Sequence, residues 1–109
     1  MYLSSHHGEG DYLPMAGIKI EPLAKDGKDV KVVYDGLLAK SGAMQVYMHS
    51  SFGKRRSWDK IYDHRMENTG RGWEKTVKME GNQLNFCFKD CAHNWDNNKG
   101  ENWTYAITD

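Results

Sequence analysis

Short runs of alternating hydrophobic and polar residues fill most of the chain after residue 28, and turn residues separate the runs. A period of two is typical of strands with one buried face, and no window repeats apolar residues at helical spacing. The sequence therefore predicts an all-β domain. The alternating sets are Val30, Val32 and Tyr34; Met44, Val46 and Met48; Trp73, Val77 and Met79; Leu84, Phe86 and Phe88; and Trp103, Tyr105 and Ile107.

Strands of this length and spacing predict a single antiparallel β-sandwich of immunoglobulin-like type. Residues 59–66 form a weaker strand candidate, and Gly81-Asn82 predicts a hairpin turn between the strands on either side of it. The expected inward-facing set is Val32, Val46, Met48, Trp73, Val77, Leu84, Phe86, Phe88 and Ile107. Residues 1–28 indicate a loosely structured leader with at most one edge strand, followed by a sandwich domain over 29–109.

The composition of the chain argues against several classes of function. The chain has 109 residues, with 15 Lys and Arg against 15 Asp and Glu, so its formal net charge is zero and nothing steers it to nucleic acid or anionic membranes. No stretch is long enough for a membrane span, and the start lacks a signal-peptide pattern. The compartment stays open: cytoplasmic for a native full-length chain, extracellular for an excised module. The two cysteines do not decide it.

Several large side chains fall outside the inward-facing set. Alternation places Tyr47 and His49 on the face opposite Val46, while Trp58 and Trp95 stand in the polar loops SSFGKRRSW and DCAHNWDNNKGEN. An exposed tryptophan leaves apolar area in water unless a partner covers it, although a loop tryptophan can also fold onto the rim of its own sandwich.

The segment Asn94 to Asn98 joins an aromatic ring to amides and a carboxylate. A sugar ring needs such a set, because its C–H face stacks on an aromatic ring while its hydroxyls need donors and acceptors together. The candidate carbohydrate-binding residues are His49, Trp58, Trp95, Asp96, Asn97 and Asn98. The competing interpretation of the Asn/Asp run is an ordinary turn, since these side chains bond their own backbone.

The chain resembles starch-binding modules of carbohydrate-binding families 25 and 53. The similarity runs from Val30 onward through VVYDGLLAKSGAMQVYMHSSFG, Trp58, GWEKTV and LNFCFKDCAHNWDNNKGENW. The resemblance implies noncatalytic binding of α-1,4-glucans such as starch, glycogen or maltooligosaccharides, without a cofactor, on a platform of two tryptophans and a histidine. These would be Trp58, Trp95 and His49. It also implies an amylase-type or glycogen-metabolising enzyme as a partner.

Three alternatives remain open from the sequence. A protein-interaction sandwich would use the same exposed aromatic surface. Cys87, Cys91 and His93 have metal-ligand types at short spacing but lack a fourth ligand. A glycoside hydrolase would need a pair of carboxylates, such as Asp59 with Asp63 or Asp90 with Asp96.

Overall fold

In the computed structural model the chain is an all-β sandwich of two sheets. The structure describes residues 2–6, 11–13, 16–23, 28–53 and 60–108, and for 2–6, 11–13, 107 and 108 it describes the backbone alone. The strands are β1 Tyr2–His6, β2 Asp11–Leu13, β3 Ile18–Pro22, β4 Asp29–Tyr34, β5 Val46–Phe52, β6 Ile61–Arg65, β7 Glu67–Asn68, β8 Trp73–Lys78, β9 Gln83–Asp90, β10 Trp95–Asp96 and β11 Trp103–Thr108. A one-turn helix, α1, covers Leu37–Lys40.

The strand pairing divides these elements between two sheets. The first sheet has the order β1-β11-β9-β5-β6, and β10 pairs with β9 beside the end of β11. The second sheet has the order β2-β3-β4-β8-β7. Pairing is antiparallel except between β1 and β11, which run parallel. The predicted all-β sandwich is confirmed.

The core lies between the sheets and contains the alternating residues that the sequence assigned to it. Every member of the expected inward-facing set is buried except Ile107, whose side chain lies outside the described part of the chain. An aromatic cluster links the sheets, since Tyr34 of β4 stacks on Phe88 of β9 with ring centroids 4.0 Å apart. Trp103 of β11 packs against Phe88 at 5.8 Å.

Met44 does not extend the alternation of β5. It precedes the strand, which begins at Val46, and its side chain is 88% exposed. The alternating run therefore begins at Val46 rather than at Met44, because residues 41–45 form the turn and the irregular segment that connect α1 to β5.

The turn at Gly81 and Asn82 does not close a hairpin. The strands on either side of it, β8 and β9, pair in different sheets, so the chain crosses from one layer of the sandwich to the other at this point. The hairpin prediction was wrong because turn residues indicate a change of direction but not which strand pairs with which. Strand β8 pairs instead with β4 of the second sheet, with Val30 opposite Val77.

The first 28 residues contribute to both sheets. They supply β1, β2 and β3, and β3 lies inside the second sheet with Ile18 and Ile20 fully buried. This differs from the expected loose leader with at most one edge strand. Gly17 precedes β3 with φ +71°, where a Cβ would collide with the Asp35 carbonyl, so glycine is required for the close approach of the two segments.

Candidate functional site

The outer face of the first sheet, which points away from the second sheet, carries the candidate site. Strand β5 lies between β6 and β9, and its register places His49 opposite Asp63 of β6 on one side and Cys87 of β9 on the other. Successive residues of a strand point to opposite faces. Since Met48 is in the core, His49 and its two cross-strand neighbours lie together on the outer face.

Trp95 reaches the same face from β10, where it pairs with Lys89 of β9. Its ring meets the His49 ring edge to face, with centroids 5.1 Å apart and an interplanar angle of 87°. The Lys89 ammonium lies 5.4 Å from the centroid of the indole ring, within cation–π distance. Trp95 is nonetheless 45% exposed, so this large apolar residue is only partly covered by the protein.

Asp63 holds the two basic groups of this face in place. Its carboxylate accepts a hydrogen bond from His49 Nδ1 at 2.5 Å and another from Lys89 Nζ at 3.0 Å. Burial by itself would raise the pKa of Asp63, but the hydrogen bonds from His49 and Lys89 outweigh it and hold the pKa below its ordinary value. The carboxylate therefore stays charged at neutral pH and fixes the orientation of the His49 ring.

A loop supplies amides beside these aromatic rings. Strand β9 pairs with β11 at residues 83–86 and with β10 at residues 88 and 89. Cys87 lies between these two pairings, at the point where the loop 97–102 connects β10 to β11. Asn97 and Asn102 are the two ends of that loop, and the Asn97 carbonyl accepts a hydrogen bond from the Asn102 amide at 2.8 Å.

Together these residues line a cavity of about 460 Å³. We call it the Trp95 pocket, and its lining residues are His49, Ile61, Cys87, Trp95, Asn97 and Asn102. In the described part of the chain, neither the side-chain amide nitrogen of Asn97 nor the side-chain amide of Asn102 has a hydrogen-bond partner. The pocket thus combines apolar surface with amide groups that can bond a polar ligand.

The asparagine-rich loop is also a tight turn, as the competing interpretation of the sequence held. Asn98 and Asn102 adopt positive φ, which asparagine tolerates better than most residues. The Asn97 side-chain oxygen accepts from Gly100 N, and Asn98 Nδ2 donates to the Asn102 carbonyl at 3.0 Å. Asn97 therefore both braces the loop and lines the pocket, whereas Asn98 only braces the loop.

Asp96 points away from the pocket. Because it follows the outward-facing Trp95 in a strand, its side chain faces the interior, where it accepts a hydrogen bond from the Tyr34 hydroxyl at 2.6 Å. The same Tyr34 oxygen accepts from the Leu38 backbone amide at 3.0 Å. Burial, then the bond to Asp96, raises the pKa of Tyr34, so the hydroxyl remains a donor.

The six candidate residues thus have different positions. The structure brings His49, Trp95 and Asn97 together in the pocket, and it places Asp96 and Asn98 beside it in supporting contacts. Trp58 lies outside the described residues. Sequence reasoning missed Ile61 and Asn102, and it considered Asp63 only as half of a hydrolase pair, because the positions of these residues depend on strand pairing and loop closure. The available signal was that Asn102 closes the amide-rich loop.

The hydrolase and metal alternatives gain no support from the described residues. Hydrogen bonds from Asn94 lower the pKa of Asp90, whereas a general acid needs a raised one. Both cysteines are free, and burial raises the pKa of Cys87 to about 12, which disfavours the thiolate that metals bind. Among the residues that the structure describes, no cluster of His, Cys, Asp and Glu could hold a metal ion.

A family model of a starch/carbohydrate-binding module, family 53, matches residues 30–86. The chain belongs to this family. The match includes β5 with His49 and ends in β9, before Trp95 and the loop 97–102. Comparisons with curated proteins and with solved structures give no match. As a carbohydrate-binding module, the chain is of a noncatalytic binding class. Within the described residues, no helix is long and apolar enough to cross a membrane.

Proposed function

We propose that this module binds α-1,4-glucans, such as starch, glycogen and maltooligosaccharides, in the Trp95 pocket. The observation that carries the proposal is the half-exposed indole of Trp95, set edge to face against His49 at the mouth of an amide-rimmed cavity. The C–H face of a glucose unit stacks on the indole, and its hydroxyls bond the imidazole and the amides of Asn97 and Asn102.

The crossed orientation of the two rings in the Trp95 pocket supports an α-glucan over a flat β-glucan. An α-1,4-glucan coils, so a short stretch of it presents a curved surface, whereas a cellulose ribbon needs a row of coplanar rings. Here the Trp95 and His49 rings stand at 87° to each other. In this proposal Trp58 supplies the second stacking ring. Residues 29–109 carry the sugar site, and residues 1–28 complete the two sheets.

Binding at such an open site is expected to be weak, with dissociation constants from micromolar to millimolar, or roughly −8 to −4 kcal/mol. Retention on a polysaccharide then depends on several modules or on a linked enzyme. We therefore propose an amylase-type or glycogen-metabolising enzyme as a partner. We propose no binding to nucleic acid or to a membrane, since the formal net charge is zero.

Titration of tryptophan fluorescence with maltoheptaose, and with cellohexaose as control, tests the proposal on the wild type, Trp95→Ala and Trp58→Ala. Covering the exposed part of the Trp95 ring removes about 100 Å² from water, worth about 2.5 kcal/mol, so Trp95→Ala is expected to lose at least about tenfold in affinity.

Leu23→Ala is the matched control, because Leu23 is 54% exposed and does not line the Trp95 pocket. It should bind maltoheptaose like the wild type. A folded wild type that binds neither oligosaccharide would refute the proposal and favour the protein-interaction hypothesis. Equal binding of both oligosaccharides would refute the preference for α-glucans.

A further inference from the structure

A second cavity of about 520 Å³ also has Trp95 in its lining. We call it the α1 groove. Its walls are formed by α1 and the turn that follows, within residues 37–44, and by the loop 90–94 with Trp95. Trp95 lines both this groove and the Trp95 pocket. The two cavities are therefore adjacent and share one aromatic wall.

The α1 groove has an apolar strip and polar groups close to it, the combination that also marks the first pocket. The apolar strip includes Leu37, 62% exposed, and Met44, 88% exposed. The polar lining includes Ser41, Asp90 and Asn94. Large apolar side chains left in water next to hydroxyl, carboxylate and amide groups suit a ligand with an apolar face and a polar rim.

A hydrogen-bonded link fixes the groove relative to the pocket. The Tyr34 hydroxyl donates to Asp96, the neighbour of Trp95, and accepts from the Leu38 amide in α1. Tyr34 is fully buried and stacked on Phe88, so this link is anchored in the core. The two cavities therefore keep a fixed position relative to each other. A ligand that extends across Trp95 has to order less of the protein when it binds, so the entropic cost of binding is lower.

On the other wall, Asp90 holds the loop 90–94 in shape. Its carboxylate accepts hydrogen bonds from the backbone amides of Ala92 and Asn94, at 2.8 and 2.9 Å, and from the Asn94 side chain at 2.9 Å. Both walls of the groove are thus held by hydrogen bonds within the protein.

We propose that the α1 groove is a second subsite for the same α-glucan chain, which passes over Trp95 from the first pocket onto Leu37 and Met44. This inference rests on the proposed function. It predicts that affinity rises with chain length, since maltotriose occupies the Trp95 pocket alone while maltoheptaose also covers the groove.

Calorimetric titration of maltotriose and maltoheptaose into the wild type, Leu37→Ala, Met44→Ala and the control Leu23→Ala tests the subsite. Leu37 and Met44 are exposed, so their truncation should leave folding intact, which circular dichroism checks. Each variant is expected to lose about three- to tenfold in affinity for maltoheptaose and to stay within about twofold of the wild type for maltotriose. Leu23→Ala should change neither affinity.

The outcomes separate the two proposals. If the wild type binds both sugars equally well, or if the groove variants keep the full advantage of maltoheptaose, the subsite is refuted while the proposed function stands. A longer chain also gains affinity from its larger number of binding registers, and only the variants remove the contribution of the groove. If the wild type binds neither sugar, both proposals fall.

Discussion

Removal of the Tyr34 hydroxyl tests whether the link between the two cavities stabilises the fold. Tyr34→Phe keeps the ring, and with it the stacking on Phe88 at 4.0 Å. It deletes one donor to the Asp96 carboxylate and one acceptor for the Leu38 amide. The substitution changes two hydrogen bonds and little else.

The expected loss of stability follows from the two groups that Tyr34→Phe leaves without their hydrogen-bond partner. A hydrogen bond to a charged partner contributes about 1.5–3 kcal/mol, and a buried backbone amide without an acceptor costs about 1–3 kcal/mol. Asp96 is partly exposed, so water can replace the lost donor and reduce the first amount. We therefore expect Tyr34→Phe to lower the free energy of unfolding by about 2–4 kcal/mol.

Urea unfolding followed by tryptophan fluorescence measures this change. Tyr47→Phe is the matched control, because Tyr47 lies on the outer face and its hydroxyl has no hydrogen-bond partner among the described residues; it should shift the free energy of unfolding by less than about 0.5 kcal/mol. A double-mutant cycle with Asp96→Ala should give a coupling of about 1–2 kcal/mol. A cost of Tyr34→Phe equal to that of the control would refute the reasoning.

Two further predictions concern ionisable groups of the outer face and of the loop 90–94. The lowered pKa of Asp63 stabilises the folded state at pH values above the ordinary pKa of 3.8, and this contribution is lost as the pH falls through the lowered pKa. The free energies of unfolding of the wild type and Asp63→Asn, measured with urea, should therefore converge between pH 7 and pH 2. A difference that stays constant over this range would contradict the prediction. A thiol reagent at pH 8 should modify the exposed Cys91 quickly and the buried Cys87, with its pKa of about 12, only after unfolding. Fast reaction of both thiols in the folded protein would count against the structure of this face.

The pattern of the sequence determined which residues of β4, β5 and β8 face the core and on which face His49 lies, but it did not identify the buried Ile18 and Ile20. These properties follow from the two-residue period of a strand, which is a local property of the chain. The sets Leu84, Phe86 and Phe88 and Val30, Val32 and Tyr34 are fully buried as the alternation predicted. The family resemblance likewise rests on local motifs, and the family model matches those that lie within residues 30–86 but not the segment around Trp95.

The partners of each strand depend on long-range pairing, which local patterns do not specify. Asp63 faces His49 because β6 pairs with β5 in one register, and a shift by one residue would turn it to the core. Asp96 faces inward because the short pairing of Trp95 and Asp96 with β9 turns part of an apparent loop into a strand. The sequence therefore determined the chemistry available on the outer face, and tertiary pairing decided which of those groups meet, because register is fixed by the packing of the whole core.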